Sequence, residues 1–107
     1  MVDRIISAAI DSRLKGLDLR SRNLDSLEIL KSLRSCENAV EIIFANTNAI
    51  SSIPTWFSAI LWTEIYLGSN KITRFQGEFS NLVVLVLDDN LLSGKLGLSR
   101  IIFSTVY

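Results

Sequence analysis

The chain has 107 residues, of which 49% are hydrophobic and 21% are charged, so it is too apolar for a disordered segment and long enough for one domain. Lys plus Arg and Asp plus Glu number 11 each, and this balance excludes a global field that would draw the molecule to nucleic acid or to an anionic membrane. One cysteine, Cys36, and a start that does not resemble a signal peptide favour a reducing intracellular compartment, cytoplasmic or nuclear.

Residues 1–12 are predicted to form an amphipathic helix. Their apolar side chains follow the i, i+3, i+4, i+7, i+8 spacing of a helix with one buried face, at Val2, Ile5, Ile6, Ala9 and Ile10. We expect this helix to act as an N-terminal cap that covers the open edge of the first strand.

A repeated pattern then occupies most of the chain. An apolar residue, two others, an apolar residue, one other and a third apolar residue recur in repeats that begin near residues 14, 40, 62 and 82, with a partial repeat near 98. Asn48, Asn70 and Asn90 stand three positions after the last apolar residue of the second, third and fourth repeats, and Arg22 takes that position in the first. The short strands alternate inward and outward residues and are expected to stack in parallel, while the asparagine amides bond buried backbone groups between repeats as a structural ladder.

The segments between the strands differ in length. After the first strand, apolar residues at every third position from Leu24 to Leu33 predict a helical return, and the shorter later returns are expected to be irregular or 3₁₀. Trp62 occupies an inward position of the third repeat and is expected in the core. The position of Trp56, on a return segment, is left open between packing over the core edge and partial exposure.

The motif LxxLxLxxNx(I/L), recurring in register over residues 14–103, resembles that of the leucine-rich-repeat superfamily. The short irregular repeats and cysteine-poor ends are most similar to compact intracellular types, such as the acidic leucine-rich nuclear phosphoproteins and a spliceosomal type, and residues 87–94 are similar to a stretch of the former. The resemblance implies an α/β fold: a short right-handed solenoid with a parallel concave sheet of four to five strands, an N-terminal helical cap and a helical or irregular convex side. It also implies a protein that holds another protein.

Outward residues of the strands form the predicted partner-binding surface. The middle positions of successive repeats from the second onward would make an exposed apolar stripe of Phe44, Tyr66, Val86 and Ile102, and acidic residues would form its rim. Such a surface suits an amphipathic protein segment with Lys or Arg at its margins. The alternative is that these side chains only stabilise the sheet through cross-strand contacts. The predicted partner-binding residues are Ile42, Phe44, Asn46, Glu64, Tyr66, Val84, Val86 and Asp88.

The residue inventory argues against catalysis. The chain has no histidine and one cysteine, which excludes Ser-His and Cys-His pairs, histidine metal sites and thiolate zinc sites. Asp88 and Asp89 are adjacent and form a weak acid-base or metal candidate. We therefore expect no enzyme activity, no catalytic residue, no metal and no cofactor. Acidic residues interleaved with Arg13, Lys15 and Arg20 argue against nucleic acid, and the apolar runs are too short to span a membrane.

The C-terminal residues predict a second mode of association. Residues 98–107 have high β-propensity, one charge and no proline, so an uncovered strand there would leave backbone groups unpaired. A second copy could cover it, giving a homodimer with Ile101, Phe103 and Val106 near the contact. In this alternative the protein is a self-assembling structural piece or a truncated repeat fragment.

Overall fold

The computed structural model describes residues 4, 15–35, 40–92, 97–99 and 105–106. This part of the chain contains short strands joined by irregular segments, with no α-helix of seven or more residues. Two 3₁₀ helices cover Glu28–Ser35 and Phe57–Ala59. The strands are β1 (Gly16–Asp18), β2 (Ile42–Phe44), β3 (Glu64–Tyr66), β4 (Gln76–Glu78), β5 (Val84–Val86), β6 (Gly97–Ser99) and β7 (Thr105–Val106). Apart from Arg4, the predicted cap helix 1–12 lies outside the described residues, as do Cys36, Ile101, Ile102 and Phe103.

The main sheet is parallel throughout, which confirms the predicted strand arrangement. Its four three-residue strands lie in the order β1, β2, β3, β5, and β7 adds two residues beside β5. The pairing holds one register from repeat to repeat: the strand centres Leu17, Ile43, Ile65 and Leu85 are successive partners. Equivalent positions of neighbouring repeats therefore form straight rows across the sheet.

A second, two-stranded parallel sheet joins β4 to β6, with Gln76 opposite Gly97 and Glu78 opposite Ser99. The residue pattern does not predict this sheet, because β4 has the composition Gln-Gly-Glu and lacks the β-branched and aromatic residues typical of strands. The partial fifth repeat predicted near residue 98 thus begins in this second sheet, and the residues that extend the main sheet are those of β7. Residues 100–104, between β6 and β7, lie outside the described part of the chain.

The core lies on one side of the main sheet. The centre of each main strand is buried, and so is the residue that follows the strand, at Leu19, Ala45, Leu67 and Leu87. The returns close the core from the other side with Leu27, Leu30, Phe57, Phe75 and Phe79. The predicted helical return after β1 is the first 3₁₀ helix, whose three residues per turn place every third residue on the same face. The three-residue spacing of the leucines fits that period.

The two tryptophans occupy different depths. Trp62 is 1% exposed and its indole Nε1 donates to the Phe57 carbonyl at 3.2 Å, so the prediction that it is a core residue is confirmed. Trp56 is half-buried and packs against the core, which resolves the position left open from the sequence.

Asn70 links its own repeat to the preceding one. Its Nδ2 donates to the carbonyls of Ala45 at 3.1 Å, Leu67 at 3.0 Å and Gly68 at 3.2 Å. Its Oδ1 accepts from the Ile50 amide at 3.1 Å. The side chain is buried, so these bonds satisfy backbone groups that water does not reach.

Asn48 and Asn90 make equivalent bonds one repeat earlier and one repeat later. Asn90 Oδ1 accepts from the Ile72 amide at 2.9 Å, and Asn48 Oδ1 accepts from the amides of Arg22 at 2.9 Å and Leu24 at 3.0 Å. Each asparagine amide group also donates to carbonyls of its own and the preceding repeat. The three side chains thus bridge successive turns.

Each turn after a main strand contains a non-glycine residue in the left-handed region. The equivalent residues and their φ angles are Ser21 at 55°, Thr47 at 61°, Ser69 at 55° and Asp89 at 54°. Left-handed backbone is costly for residues with a Cβ, most of all for a β-branched one such as Thr47. The repeat therefore imposes this conformation through the surrounding hydrogen bonds and without glycine.

None of the helices in the described ranges is long and apolar enough to cross a membrane.

Candidate functional site

The side of the main sheet that faces away from the core carries the candidate site, and we call it the exposed sheet face. Its central row consists of Asp18, Phe44, Tyr66 and Val86; the row before it of Gly16, Ile42, Glu64 and Val84; and the row after it of Arg20, Asn46, Gly68 and Asp88. All eight residues predicted to bind a partner lie on this face. The alternation of a short strand places them there, because residues on either side of a buried strand centre point away from the core.

An aromatic pair occupies the middle of the exposed sheet face. Phe44 and Tyr66 are partners in the register of β2 and β3, and their rings stack with centroids 4.9 Å apart and planes 10° from parallel. Val86 continues the row on β5. Each of the three is half-buried, so each keeps part of its apolar surface in contact with solvent. The stack also stabilises the sheet, by an amount on the order of 0.5 to 1.5 kcal/mol beyond the area it buries.

An ion pair stands at the β1 end of the face. Arg20 Nε and Nη2 donate to the two carboxylate oxygens of Asp18, each at 2.9 Å, and the Arg20 amide donates to Asp18 Oδ1 at 3.1 Å. The Arg20 guanidinium carbon lies 5.7 Å from the centre of the Phe44 ring, within cation-π range. Hydrogen bonds from Arg20 lower the pKa of Asp18 to about 2, and Asp18 in turn raises the pKa of Arg20. Sequence reasoning missed this pair, although opposite charges two positions apart on a strand signal it.

The β3 and β5 end of the face is acidic. The Tyr66 hydroxyl donates to Glu64 Oε1, and the Ser69 hydroxyl donates to Asp89 Oδ2 at 3.1 Å. Among the described residues, nothing donates a hydrogen bond or forms an ion pair to the carboxylate of Asp88. Within the described part of the chain, the exposed sheet face therefore has a cation held in place at one end and a carboxylate without a side-chain partner at the other.

A depression of about 320 Å³ runs between these two ends. Gly68 is part of its lining; this residue is buried and has no side chain, in a row that otherwise consists of Arg, Asn and Asp. The depression is lined by Arg20, Phe44, Asn46, Tyr66, Gly68, Ser69, Val86 and Asp88. Five other residues were predicted to bind a partner. Of these, Asn46 and Asp88 line the depression, Glu64 accepts from the Tyr66 hydroxyl, and Ile42 and Val84 lie two positions before Phe44 and Val86 on the same strands.

A second depression of about 490 Å³ lies among the return segments, lined by residues of the ranges 51–55 and 73–78. Hydroxyl groups, Arg74 and Glu78 surround it, without an aromatic ring in its lining. It is larger than the depression of the exposed sheet face, but it lacks the aligned rows and the apolar platform that make a specific surface. Of the residues predicted for self-association, Val106 lies on β7, and Ile101 and Phe103 are outside the described residues.

No protein-family model matches the chain, and none of the curated proteins or solved structures compared with it is significantly similar to it. The geometry of the exposed sheet face is therefore what indicates a function.

Proposed function

We propose that the chain is a short leucine-rich-repeat solenoid that binds another protein on its exposed sheet face, without catalysis, inside the cell. The parallel strands, their constant register and the asparagine bridges between successive turns support the repeat assignment. A sequence without histidine supports the non-catalytic role.

The observation that carries the proposal is the aromatic and apolar row of Phe44, Tyr66 and Val86 on the side of the sheet away from the core. Half-buried Ile42 and Val84 widen this row, so the apolar surface is contiguous across three strands. Contiguous exposed apolar surface is typical of binding sites. Because strand pairing fixes the backbone and the stack restrains the Phe44 and Tyr66 rings, little conformational entropy is lost when a partner docks.

A pair of opposite charges in place of the aromatic pair tests this proposal. In the double variant Phe44→Glu, Tyr66→Lys, the two cross-strand partners can attract each other, so the sheet keeps a favourable pair while the apolar platform is lost. A matched control, Thr55→Glu with Thr73→Lys, makes the same change of charge at exposed residues beside the second depression. Circular dichroism and urea unfolding establish that parent, control and face variant are folded.

The readout is capture of proteins from extracts of the native source, quantified for all three forms. We expect the parent and the control to retain the same proteins and the face variant to lose them. If the folded face variant retains them as well, binding does not use this face and the aromatic pair serves only the sheet.

A second candidate function, self-assembly, is favoured by the place of β7. It is the last strand in the order of the main sheet, and no other described strand pairs with its outer edge. Light scattering over a concentration series distinguishes the two roles. A dimer that Ile101→Lys disperses would support assembly, and a monodisperse monomer at high micromolar concentration would rule it out.

A further inference from the structure

The notch at Gly68 is shaped by two neighbours. Gly68 lies between Asn46 and Asp88 in its row, and a Cβ added to it would collide with the Asp88 carboxylate. The carboxylate therefore leans over the glycine, at the end of a recess whose lining also includes Tyr66 and Val86. An apolar wall and a carboxylate end together match a side chain that has an aliphatic stem and a charged head.

The charges of the exposed sheet face are unevenly placed. At the β1 end the charges of Asp18 and Arg20 offset each other, with Lys15 and Arg22 beside them. At the β3 and β5 end the face carries the carboxylates of Glu64 and Asp88, with Asp89 beside them, although the chain as a whole has no net charge. Most of the groups beside the depression already have partners within the protein: Arg20 binds Asp18, Glu64 accepts from Tyr66, and Asp89 accepts from Ser69. An ionised carboxylate is an acceptor only, and the exposed Asp88 carboxylate receives no side-chain donor from the described residues, so it is open to a donor from a partner.

We infer that the bound protein places a lysine or arginine side chain in the Gly68 notch, where its charged head pairs with Asp88 and its stem lies against Tyr66 and Val86. This inference rests on the proposed function and names the chemistry of the partner segment. Neighbouring strands are about 4.8 Å apart and a strand rises about 3.3 Å per residue, so the Asp88 position, one and a half strands across and two residues along, is roughly 10 Å from the middle of the aromatic pair. A peptide that runs obliquely across the strands spans this distance in about three extended residues or about two helical turns. The partner therefore has its basic residue about three to seven positions from a large apolar residue.

Selection from a display library of random 12-residue peptides on the immobilised full chain tests the inference. We expect enriched peptides to contain Lys or Arg about three to seven positions from an aromatic or large aliphatic residue. For one synthesised peptide, Asp88→Asn should weaken binding by about five- to tenfold and reduce its salt dependence, as loss of a charge-assisted pair does. The matched control Asp89→Asn, whose carboxylate is held by Ser69, should change affinity by less than about twofold.

Two further reagents separate a direct contact from an indirect one. Gly68→Ala fills the notch without removing a charge. It should also lower the affinity for the basic peptide, because the added methyl group displaces the Asp88 carboxylate. A peptide with norleucine in place of its lysine should bind parent and Asp88→Asn equally, since the pair it would lose is already absent.

The outcomes distinguish this inference from the proposal it rests on. Peptides that require Phe44 and Tyr66 but show no enrichment of basic residues, or that bind Asp88→Asn as tightly as the parent, would overturn the inference and leave the binding face intact. Enriched peptides that bind the Phe44→Glu, Tyr66→Lys variant unchanged, or no enrichment at all, would overturn both.

Discussion

Replacement of Asn70 by alanine should destabilise the protein, and the hydrogen bonds show which backbone group would lose its partner. The three carbonyls to which Asn70 donates each retain another donor. Ala45 keeps Asn48 Nδ2 at 3.0 Å, Leu67 keeps Asn90 Nδ2 at 2.9 Å, and Gly68 keeps the Thr47 amide at 3.0 Å. The Ile50 amide has no such second partner among the described residues, and Ile50 is fully buried.

One orphaned buried donor costs about 1 to 3 kcal/mol, so Asn70→Ala should lower the free energy of unfolding by that amount. A loss of 1 kcal/mol corresponds to a fall in Tm of roughly 4 to 8 °C in a domain of this size. Urea titration followed by the fluorescence of buried Trp62 measures the change. Asn46→Ala is the matched control, because Asn46 lies on the exposed sheet face and its side chain makes no hydrogen bond among the described residues; its effect should stay within about 0.5 kcal/mol.

A second substitution at the same position tests the direction of the bonds. Asn70→Asp keeps an acceptor for the Ile50 amide but turns a carboxylate oxygen toward three carbonyls, so at neutral pH it should cost more than alanine. Burial should raise the pKa of the new carboxyl, and the variant should regain stability as pH falls through that pKa. Equal urea midpoints for Asn70→Ala, Asn46→Ala and the parent would refute the reasoning.

Two further predictions concern the turns and the ion pair. Thr47→Asn should raise the free energy of unfolding by about 0.5 to 1 kcal/mol, because asparagine tolerates the left-handed φ of 61° better than a β-branched residue does. Urea titration measures the change, with Thr55→Asn as the control at an exposed residue that does not have this conformation. If Thr47→Asn gives no gain, the turn is unstrained. The pKa of Asp18 is about 2 in the folded chain and 3.8 ordinarily, so the ion pair stabilises the fold above about pH 4 and this contribution is lost as pH falls toward 2. Asp18→Asn should remove this part of the acid dependence, with a small amplitude since both side chains are 55% exposed, and identical pH profiles of parent and variant would count against the pair.

The main sheet was predictable because the repeat pattern contains two periods, the two-residue alternation along a strand and the longer period at which the strands themselves recur. Alternation along β2, β3 and β5 separates core from face residues, and the asparagine position marks where each strand ends. The same alternation identified Phe44 and Tyr66 as neighbours on one face. These inferences need only the local chain and the assumption that successive repeats stack.

Features that depend on how neighbouring repeats meet could not be derived in this way. The β4 and β6 pairing joins two segments with no strand-like composition, and it arises because successive returns are brought side by side. The notch at Gly68 depends on a missing side chain together with the rotamer of Asp88 on the next strand. The Arg20 and Asp18 pair depends on the side-chain geometry that also places Arg20 over Phe44. Sequence position assigns such residues to the face but does not give their contacts.

The constant register of the main sheet has a consequence for how the chain folds. Paired strands are separated by similar lengths of chain, from 20 residues between Glu64 and Val84 to 26 between Gly16 and Ile42. Since loop-closure entropy grows only with the logarithm of loop length, each pairing carries nearly the same entropic cost. Folding can therefore begin at any adjacent pair of repeats and spread to its neighbours, and a residue inserted into one return would change the closure entropy of that pair only slightly and leave the other pairs unchanged.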